Sequence, residues 1–388
     1  MTARKVCVVV TARPSYSRVK TLLQAITEHP ELELQLVVAA SALLERYGRV
    51  EEQIVADGFN VDARVYMVLE GENPTAMAKT TGIGLIELAT IFDRLQPDVV
   101  VSVADRFETL ATATAAAYMG IPLAHIQGGE ITGSIDERVR HAVTKLADIH
   151  FPATEQAGQN LVRMGESPDH VHVAGCPSID LAAAIPTNGE LSFNPLRTYT
   201  GVGDDLDISD GYLVVMQHPV TTEFRAAQDQ VNAVLEAVHD SGRPTLWFWP
   251  NVDAGADGTS QGIRRFREKT RDNRIHFFKN MAPNHFLELL VHSDCIVGNS
   301  SVAIRECSFL GVPAVNVGTR QKRRERGTNV VDVGYDARDI LGAINSQLGV
   351  GRFPSNPLYG DGQAGRRIAD ILSRASFSPE KQLTYGLL

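Results

Sequence analysis

The chain has 388 residues, is 44% hydrophobic and 21% charged, and carries a formal net charge of −9. That length sets a prior of two or three domains of ordinary globular composition. The acidic balance removes any general electrostatic case for nucleic acid or an anionic membrane as partner, so a polyphosphate ligand needs local positive charge.

The densest such source is Arg320-Gln321-Lys322-Arg323-Arg324-Glu325-Arg326, most of whose charges read as a solvated loop or an oligomer contact. Cys7, Cys176, Cys295 and Cys307 are widely spaced and lack CxxC or Cys/His ligand spacing, so neither a metal site nor a disulfide framework is expected. The basic lead MTARK runs through a short apolar stretch into TARPSYSR. It has no cleavage site, and no apolar run is long enough to span a bilayer, so a cytoplasmic protein is expected.

In chain order, residues 5–10 read as a buried parallel strand, 11–18 as a polar loop and 19–28 as a helix. A strand over 34–39, a charged helix over 42–58 and a strand over 65–68 follow. A long helix starts at Asn73-Pro74 and runs through Arg94. Strands at 99–103 and 123–126 flank an alanine-rich helix ending at Met119. A helix over 138–146 precedes short strands at 149–151 and 172–174. Residues 186–210 lose periodicity in Gly, Asp, Asn and Thr. A second alternating unit resumes with strands at 212–216, 246–249, 274–278, 295–297 and 314–317, and residues 330–333 begin the tail. Helices are expected at 222–239, 283–292 and 364–375.

This alternation is that of an α/β protein with doubly wound parallel sheets, and polar clusters recur at strand C-terminal ends, where such sheets bind ligands. No GxGxxG or Walker loop opens either half, which disfavours NAD and P-loop chemistry. The stretch from Gly298 to Arg320 reads strand, Gly-Asn-Ser-Ser turn, helix, strand. Its hydroxyls and free N–H groups suit an anion, with Glu306 on the same helix free to reach a ribose. The expected organisation is an N-terminal Rossmann-like domain over 1–185, a linker region over 186–210, and a C-terminal Rossmann-like nucleotide-binding domain over 211–365. Residues 366–388 form a helix and tail expected to pack back on the N-terminal domain. The two halves are expected to face a cleft.

Taken together, the strand-end motifs resemble the UDP-N-acetylglucosamine 2-epimerase family, most closely its hydrolysing, sialic-acid-pathway branch. The residues that carry the resemblance are Arg13 with Tyr16-Ser17, Asp105-Arg106-Phe107-Glu108, His125-Ile126-Gln127-Gly128-Gly129-Glu130, Ile135-Asp136-Glu137, Arg140-His141-Ala142-Val143-Thr144-Lys145, Gln217-His218-Pro219, Pro250-Asn251-Val252-Asp253-Ala254-Gly255, Gly298-Asn299-Ser300-Ser301 and Gly318-Thr319-Arg320-Gln321. They span nearly the whole chain in the family's order. The resemblance implies the two-domain GT-B fold, a UDP-sugar substrate, no cofactor or metal, and a homodimer or homotetramer.

By the same likeness, Asp105, Asp136 and Glu137 are the acid/base candidates, and His218 sits near the diphosphate and helps it leave. Arg13, Ser300, Ser301 and Arg320 resemble diphosphate contacts, with Gly298 shaping their turn, and Glu306 resembles the ribose acceptor. Asn251 and Asp253 resemble a loop flanking the sugar. Ser17 and Arg106 belong to substrate-side motifs, and Phe286 borders the uracil or packs in the core. His125 reads equally as structural or catalytic. Gln127 stands where the family carries a catalytic Glu; Glu130 is the substitute, or Gln127 hydrogen-bonds the sugar. Ser15, Ala42 and Ala104 also depart from the family's Asp, His and Gly. The implied reaction is C2 epimerisation through a 2-acetamidoglucal, with water or UDP re-adding at C1. A 2,4-diacetamido sugar, glycosyl transfer and nucleotide-sugar sensing stand as alternatives.

Overall fold

The computed structural model describes residues 3–45, 50–71, 73–133, 135–250, 255–270, 274–378 and 380–384. The chain divides into two units. Met1–Ile131, Ile135–Leu181 and Tyr359–Leu388 form the first; Thr132–Ser134 and Ala182–Leu358 form the second.

The first unit is built on β1 (Arg4–Val10), β2 (Leu32–Ala39), β3 (Ala63–Val65), β4 (Val99–Val103), β5 (Leu123–Ile126) and β6 (Ile149–Phe151). Every pairing is parallel, in the order β3-β2-β1-β4-β5-β6. The strands are rich in Val and Ile because both faces of the sheet are covered. Their period of two divides β1 between two layers. Val6, Val8 and Val10 pack with Leu22, Leu23 and Ile26 of the helix Lys20–Glu28 and with Ile368 and Leu372 of the helix Ala364–Arg374. Cys7 and Val9 pack with Leu88, Ile91 and Phe92 of the helix Pro74–Leu95 and with alanines of the helix Thr109–Tyr118. Each such buried aliphatic side chain contributes roughly 1.5–3 kcal/mol. Asn73 caps the Pro74–Leu95 helix by accepting from the Ala76 N–H at 2.9 Å, with Pro74 in the first turn, where its missing N–H costs nothing. The strand order reverses between β1 and β4, which opens a crevice at their C-terminal ends.

The second unit contains β7 (Gly201–Val202), β8 (Leu213–Met216), β9 (Thr245–Phe248), β10 (Ile275–Phe278), β11 (Cys295–Gly298), β12 (Ala314–Val317) and β13 (Val330–Val333). Their order is β13-β12-β11-β8-β9-β10-β7, parallel throughout except for β7, which runs antiparallel to β10. Leu213, Val215, Trp247, Cys295 and Val297 pack against Val231, Val234, Leu235 and Val238 of the helix Ala227–Asp240 and Ile340 and Ile344 of the helix Ala337–Val350. Here the order reverses between β11 and β8.

Several expectations are corrected. Residues 13–17, read as loop, form the short helix Arg13–Ser17. The helix expected over 42–58 is divided into a 3₁₀ turn, Ala40–Leu43, and the helix Val50–Ala56; residues 46–49 lie outside the described residues. The strand expected over 172–174 reduces to a single bridge from Val171 to His150, because β6 already ends at Phe151. Residues 186–210 lie in the second unit and supply β7, while 359–365 lie in the first. No helix among the described residues is long and apolar enough to cross a membrane.

Candidate active site

In the first unit, the expected acids collect where β4 and β5 end. Ala104, immediately after β4, has φ +61°, a left-handed conformation that costs a non-glycine residue on the order of 1–3 kcal/mol. This turn delivers Asp105, which is buried and bonded to the guanidinium of Arg140. Arg140 lies on the helix Asp136–Leu146, on its buried stripe with Val139, Val143 and Thr144. Its Nη1 donates to the Glu130 carbonyl at 2.8 Å and to Glu137 Oε2 at 2.9 Å. Burial alone would lower the arginine's pKa. The charges of Asp105, Glu130 and Glu137 outweigh that and hold it above the ordinary value. Arg18 Nη1 lies 3.9 Å from Asp105 Oδ1, which brings the end of the helix Arg13–Ser17 to the same carboxylate. Asp136 opens the helix one residue before Glu137. One buried cation thus organises three of the four expected acids, with the fourth adjacent in sequence.

Arg140 falls within a motif that carries the resemblance but is absent from the expected site residues. The available signal is its position within the apolar stripe, where an arginine is retained only if carboxylates meet it.

His125 is settled by its partners. Its Nε2 lies 3.0 Å from the Ala104 carbonyl and its Nδ1 3.4 Å from Thr144 Oγ1. A carbonyl only accepts, so Nε2 carries the proton, and Nδ1 of the neutral ring accepts from the threonine hydroxyl. Burial pushes the imidazole down to about 3, which keeps it neutral. Both nitrogens are committed, so His125 is a structural tie under the Asp105 turn.

Gln127 follows β5 with φ +67° and is fully buried. Its Nε2 donates to Cys176 Sγ at 2.7 Å, and that sulfur lies 2.9 Å from Ser178 Oγ. Its Oε1 is buried without a hydrogen-bond partner among the described residues. The amide therefore offers an acceptor and no titratable proton. The other first-unit candidates are placed as follows. Arg106 Nη2 pairs with Glu108 Oε1 at 2.9 Å. Arg13 opens the helix Arg13–Ser17, where burial pushes its guanidinium down to about 10. Ser17 Oγ donates to the Pro14 carbonyl at 3.1 Å.

In the second unit, the turns after β8 and β11 lie side by side at the strand-order reversal. Gly298 has φ +130°, and a Cβ there would stand 2.2 Å from the Met216 carbonyl oxygen, so only glycine fits. Asn299, fully buried, then ties the two turns: its Oδ1 accepts from the His218 N–H at 2.8 Å and its Nδ2 donates to the His218 carbonyl at 2.8 Å. The Asn299 carbonyl in turn accepts from Arg320 Nη1 at 3.2 Å and Gln321 Nε2 at 2.9 Å. His218, Gly298, Ser300, Ser301 and Arg320 are thereby assembled around one asparagine.

Thr319, beside Arg320, donates to Glu223 Oε1 at 2.5 Å, and Glu223 also holds Gln230 at 2.6 Å. The single helix expected after the serines is broken. Ser301–Ala303 is a 3₁₀ turn capped by Ser300, and the α-helix Glu306–Leu310 starts afresh. Glu306 is buried, with Oε2 unpartnered among the described residues. Phe286 packs edge-on against Phe248 with ring centroids 5.0 Å apart. In the basic run, Arg324 and Arg326 are bound to Gln321 at 2.8 and 2.6 Å, while Lys322 and Arg323 are exposed. Asn251 and Asp253 lie outside the described residues. No cluster of His, Cys, Asp and Glu that would hold a metal is found among the described residues.

Residues 24–373 match the family described as UDP-N-acetylglucosamine 2-epimerase. The chain is 30% identical over 373 residues to the UDP-N-acetylglucosamine 2-epimerase of Neisseria meningitidis serogroup B, covering 95% of each. It is 32% identical over 369 residues to the UDP-N,N'-diacetylbacillosamine 2-epimerase (hydrolyzing) of Legionella pneumophila, again covering 95% of each. Among solved structures it resembles that of UDP-GlcNAc 2-epimerase from Neisseria meningitidis bound to UDP-GlcNAc, with a TM-score of 0.77 and 16% identity over 96% of this chain and 100% of that one. The fold is therefore of GT-B type.

Proposed function

The chain belongs to the UDP-N-acetylglucosamine 2-epimerase family, and from that premise we propose that it epimerises UDP-N-acetylglucosamine at C2 with loss of UDP to water. The observation that carries the reading is the Arg140-centred set of Asp105, Glu130 and Glu137 at the ends of β4 and β5. Breaking a weakly acidic C–H bond needs a positioned carboxylate, and returning the proton on the opposite face needs another acid.

In the first step the C2–H bond breaks, its electron pair forms C1=C2, and the C1–O bond breaks with its pair leaving on UDP. Asp105, Asp136, Glu137 and Glu130 supply the proton transfers. His218, with the Ser300, Ser301 and Arg320 group, is assigned to the departing diphosphate and Glu306 to the ribose, and Arg13 is assigned to the diphosphate by family likeness alone. In the second step C2 of the 2-acetamidoglucal takes a proton and C1 takes the oxygen of water, giving N-acetylmannosamine. Gln127, having no proton to give, serves as a fixed acceptor for a sugar N–H or O–H.

The Legionella relative, a hydrolyzing epimerase by name, supports water as the second reactant. It also supports a second reading, the same reaction on a 2,4-diacetamido sugar nucleotide. Glycosyl transfer is disfavoured, since it has no use for several carboxylates around one guanidinium.

The test is incubation with UDP-N-acetylglucosamine, and separately its 2,4-diacetamido analogue, in D2O with NMR detection. The expected result is deuterium at C2 of free N-acetylmannosamine. Deuterated UDP-N-acetylmannosamine would replace water by UDP in the second step. Absence of deuterium from both sugar nucleotides would overturn the reading.

A further inference from the structure

Behind the acid cluster lies a second buried polar group that the proposed reaction does not use. Glu166, almost fully buried, accepts from His150 Nε2 at 2.9 Å, Lys145 Nζ at 2.7 Å and Lys381 Nζ at 2.7 Å. These donors come from three separate elements: β6, the end of the helix Asp136–Leu146, and the C-terminal segment. A carboxylate so deeply buried is retained only when cations meet it. Asp148 faces both His150 and Lys381 and offsets the excess positive charge.

Lys381 does more than neutralise. Its ammonium also donates to the Thr144 carbonyl at 3.0 Å and to the Ala147 carbonyl, at the end of the helix Asp136–Leu146, where carbonyls run out of intrahelical donors. Thr144 is one turn from Arg140, and its hydroxyl holds His125, which holds the Ala104 carbonyl beside Asp105. The C-terminal segment is itself pinned, since the Thr384 N–H donates to the Gly165 carbonyl at 3.1 Å. A continuous set of hydrogen bonds therefore runs from Glu166 through Lys381 and Thr144 to His125 and the turn that carries Asp105. The same lysine anchors the rear of the helix whose front carries Asp136, Glu137 and Arg140.

We propose that Lys381 is a positioning residue for the epimerisation, fixing the helix Asp136–Leu146 and the Asp105 turn from behind through Thr144 and His125. This rests on the assignment of Asp105 and its neighbours to proton transfer. A positioning error of this kind lowers the rate of the chemical step and leaves ground-state binding intact.

The experiment compares Lys381→Met, Lys381→Arg and Glu166→Gln in the full-length protein for kcat, KM, UDP affinity, C2 deuterium exchange and thermal melting. The expected result is a fall of at least tenfold in kcat and exchange for Lys381→Met. KM and the UDP Kd stay within twofold, and Lys381→Arg recovers most of the rate. Glu166→Gln, which keeps the shape and removes the charge, reproduces the kcat loss in milder form and serves if Lys381→Met does not fold. A folded Lys381→Met or Glu166→Gln with wild-type kcat overturns the proposal. So does a loss in which KM and UDP affinity deteriorate together with kcat. Wild-type protein without C2 exchange would instead overturn the parent reading, so the two failures are distinguishable.

Discussion

Arg140 concentrates the energetics of the first unit in one side chain. A buried guanidinium bonded to Asp105, the Glu130 carbonyl and Glu137 is stable only as a complete set, because removing one partner leaves uncompensated buried charge at a cost of about 3–5 kcal/mol. Arg140→Met is therefore expected to lower thermal stability by an amount in that range and to reduce kcat at least a hundredfold, measured by calorimetric melting and C2 exchange. Arg140→Lys keeps the charge without the planar fork that reaches several acceptors, so it should recover stability better than rate. A melting curve for Arg140→Met superimposable on wild type would show that the cluster is less tightly coupled than its geometry implies. Gln127 illustrates the opposite case. Its neighbourhood is spelled out by motif, yet its consequence is visible only in three dimensions, where its acyl oxygen stands buried without a partner among the described residues and its amide is turned to Cys176.

At the scale of elements, the turn after β11 is a tightly constrained piece of backbone in the second unit. Gly298→Ala would bring a methyl group to 2.2 Å from the Met216 carbonyl oxygen at φ +130°, so backbone must move, with a strain of about 1–3 kcal/mol. Because Asn299 follows directly and ties His218, the expected outcome is a lower melting temperature together with at least tenfold weaker UDP binding by titration calorimetry. Unchanged UDP affinity would remove this turn from the nucleotide site. Strands were legible where, as in β4 and β12, valine-rich runs are bounded by Gly, Pro and charged residues, and the limits of these two and of β5 coincide with those expected, whereas β13 read only as the start of the tail. β7 was not, since Gly201-Val202 carries no pattern until Phe277 and Phe278 pair with it. The helix Ala256–Thr270 was hidden by its two glycines and many charges. The helix Ala337–Val350 had readable signals, with Asp336 as its cap and Ile340, Ile344 and Gln347 on one face. The site divides in the same way. Acids at strand ends are visible as motifs, whereas the roles of Arg140, Lys381 and Glu166 show only once Asp105 meets the first and the C-terminal segment meets Glu166.

For the whole molecule, burial of histidine sets a direction for acid lability. His125 is pushed down to about 3 by burial, against about 6.5 in an unfolded chain, and burial lowers His150 as well. The unfolded state therefore binds more protons between those values, so this stability is fully present above about pH 6.5 and drains away as pH falls toward 3. For Glu166, burial alone would raise the pKa, but hydrogen bonds from His150, Lys145 and Lys381 outweigh it and bring it to about 2. Its contribution is lost in turn as pH drops below about 4.5. Denaturant melts at stepped pH should show stability declining from pH 6.5 downward, with a shallower decline between 6.5 and 4.5 in His125→Asn. Equal slopes would show that His125 takes up its proton without unfolding.

The return of residues 359–388 to the first unit has a consequence for how the chain is made. Synthesis proceeds from the N-terminus, yet the helix Ala364–Arg374, which completes the layer over β1 and the helix Lys20–Glu28, is translated only after the stretch 182–358 of the second unit. The contiguous stretch 182–358 has all its strands in hand as soon as it clears the ribosome, while the unit begun first waits with one apolar face uncovered. Contacts between the two ends of the chain close a loop of more than three hundred residues, a slow and aggregation-exposed step. The order of completion is therefore the reverse of the order of synthesis, and the nascent first unit is the species on which a holding chaperone has most to act.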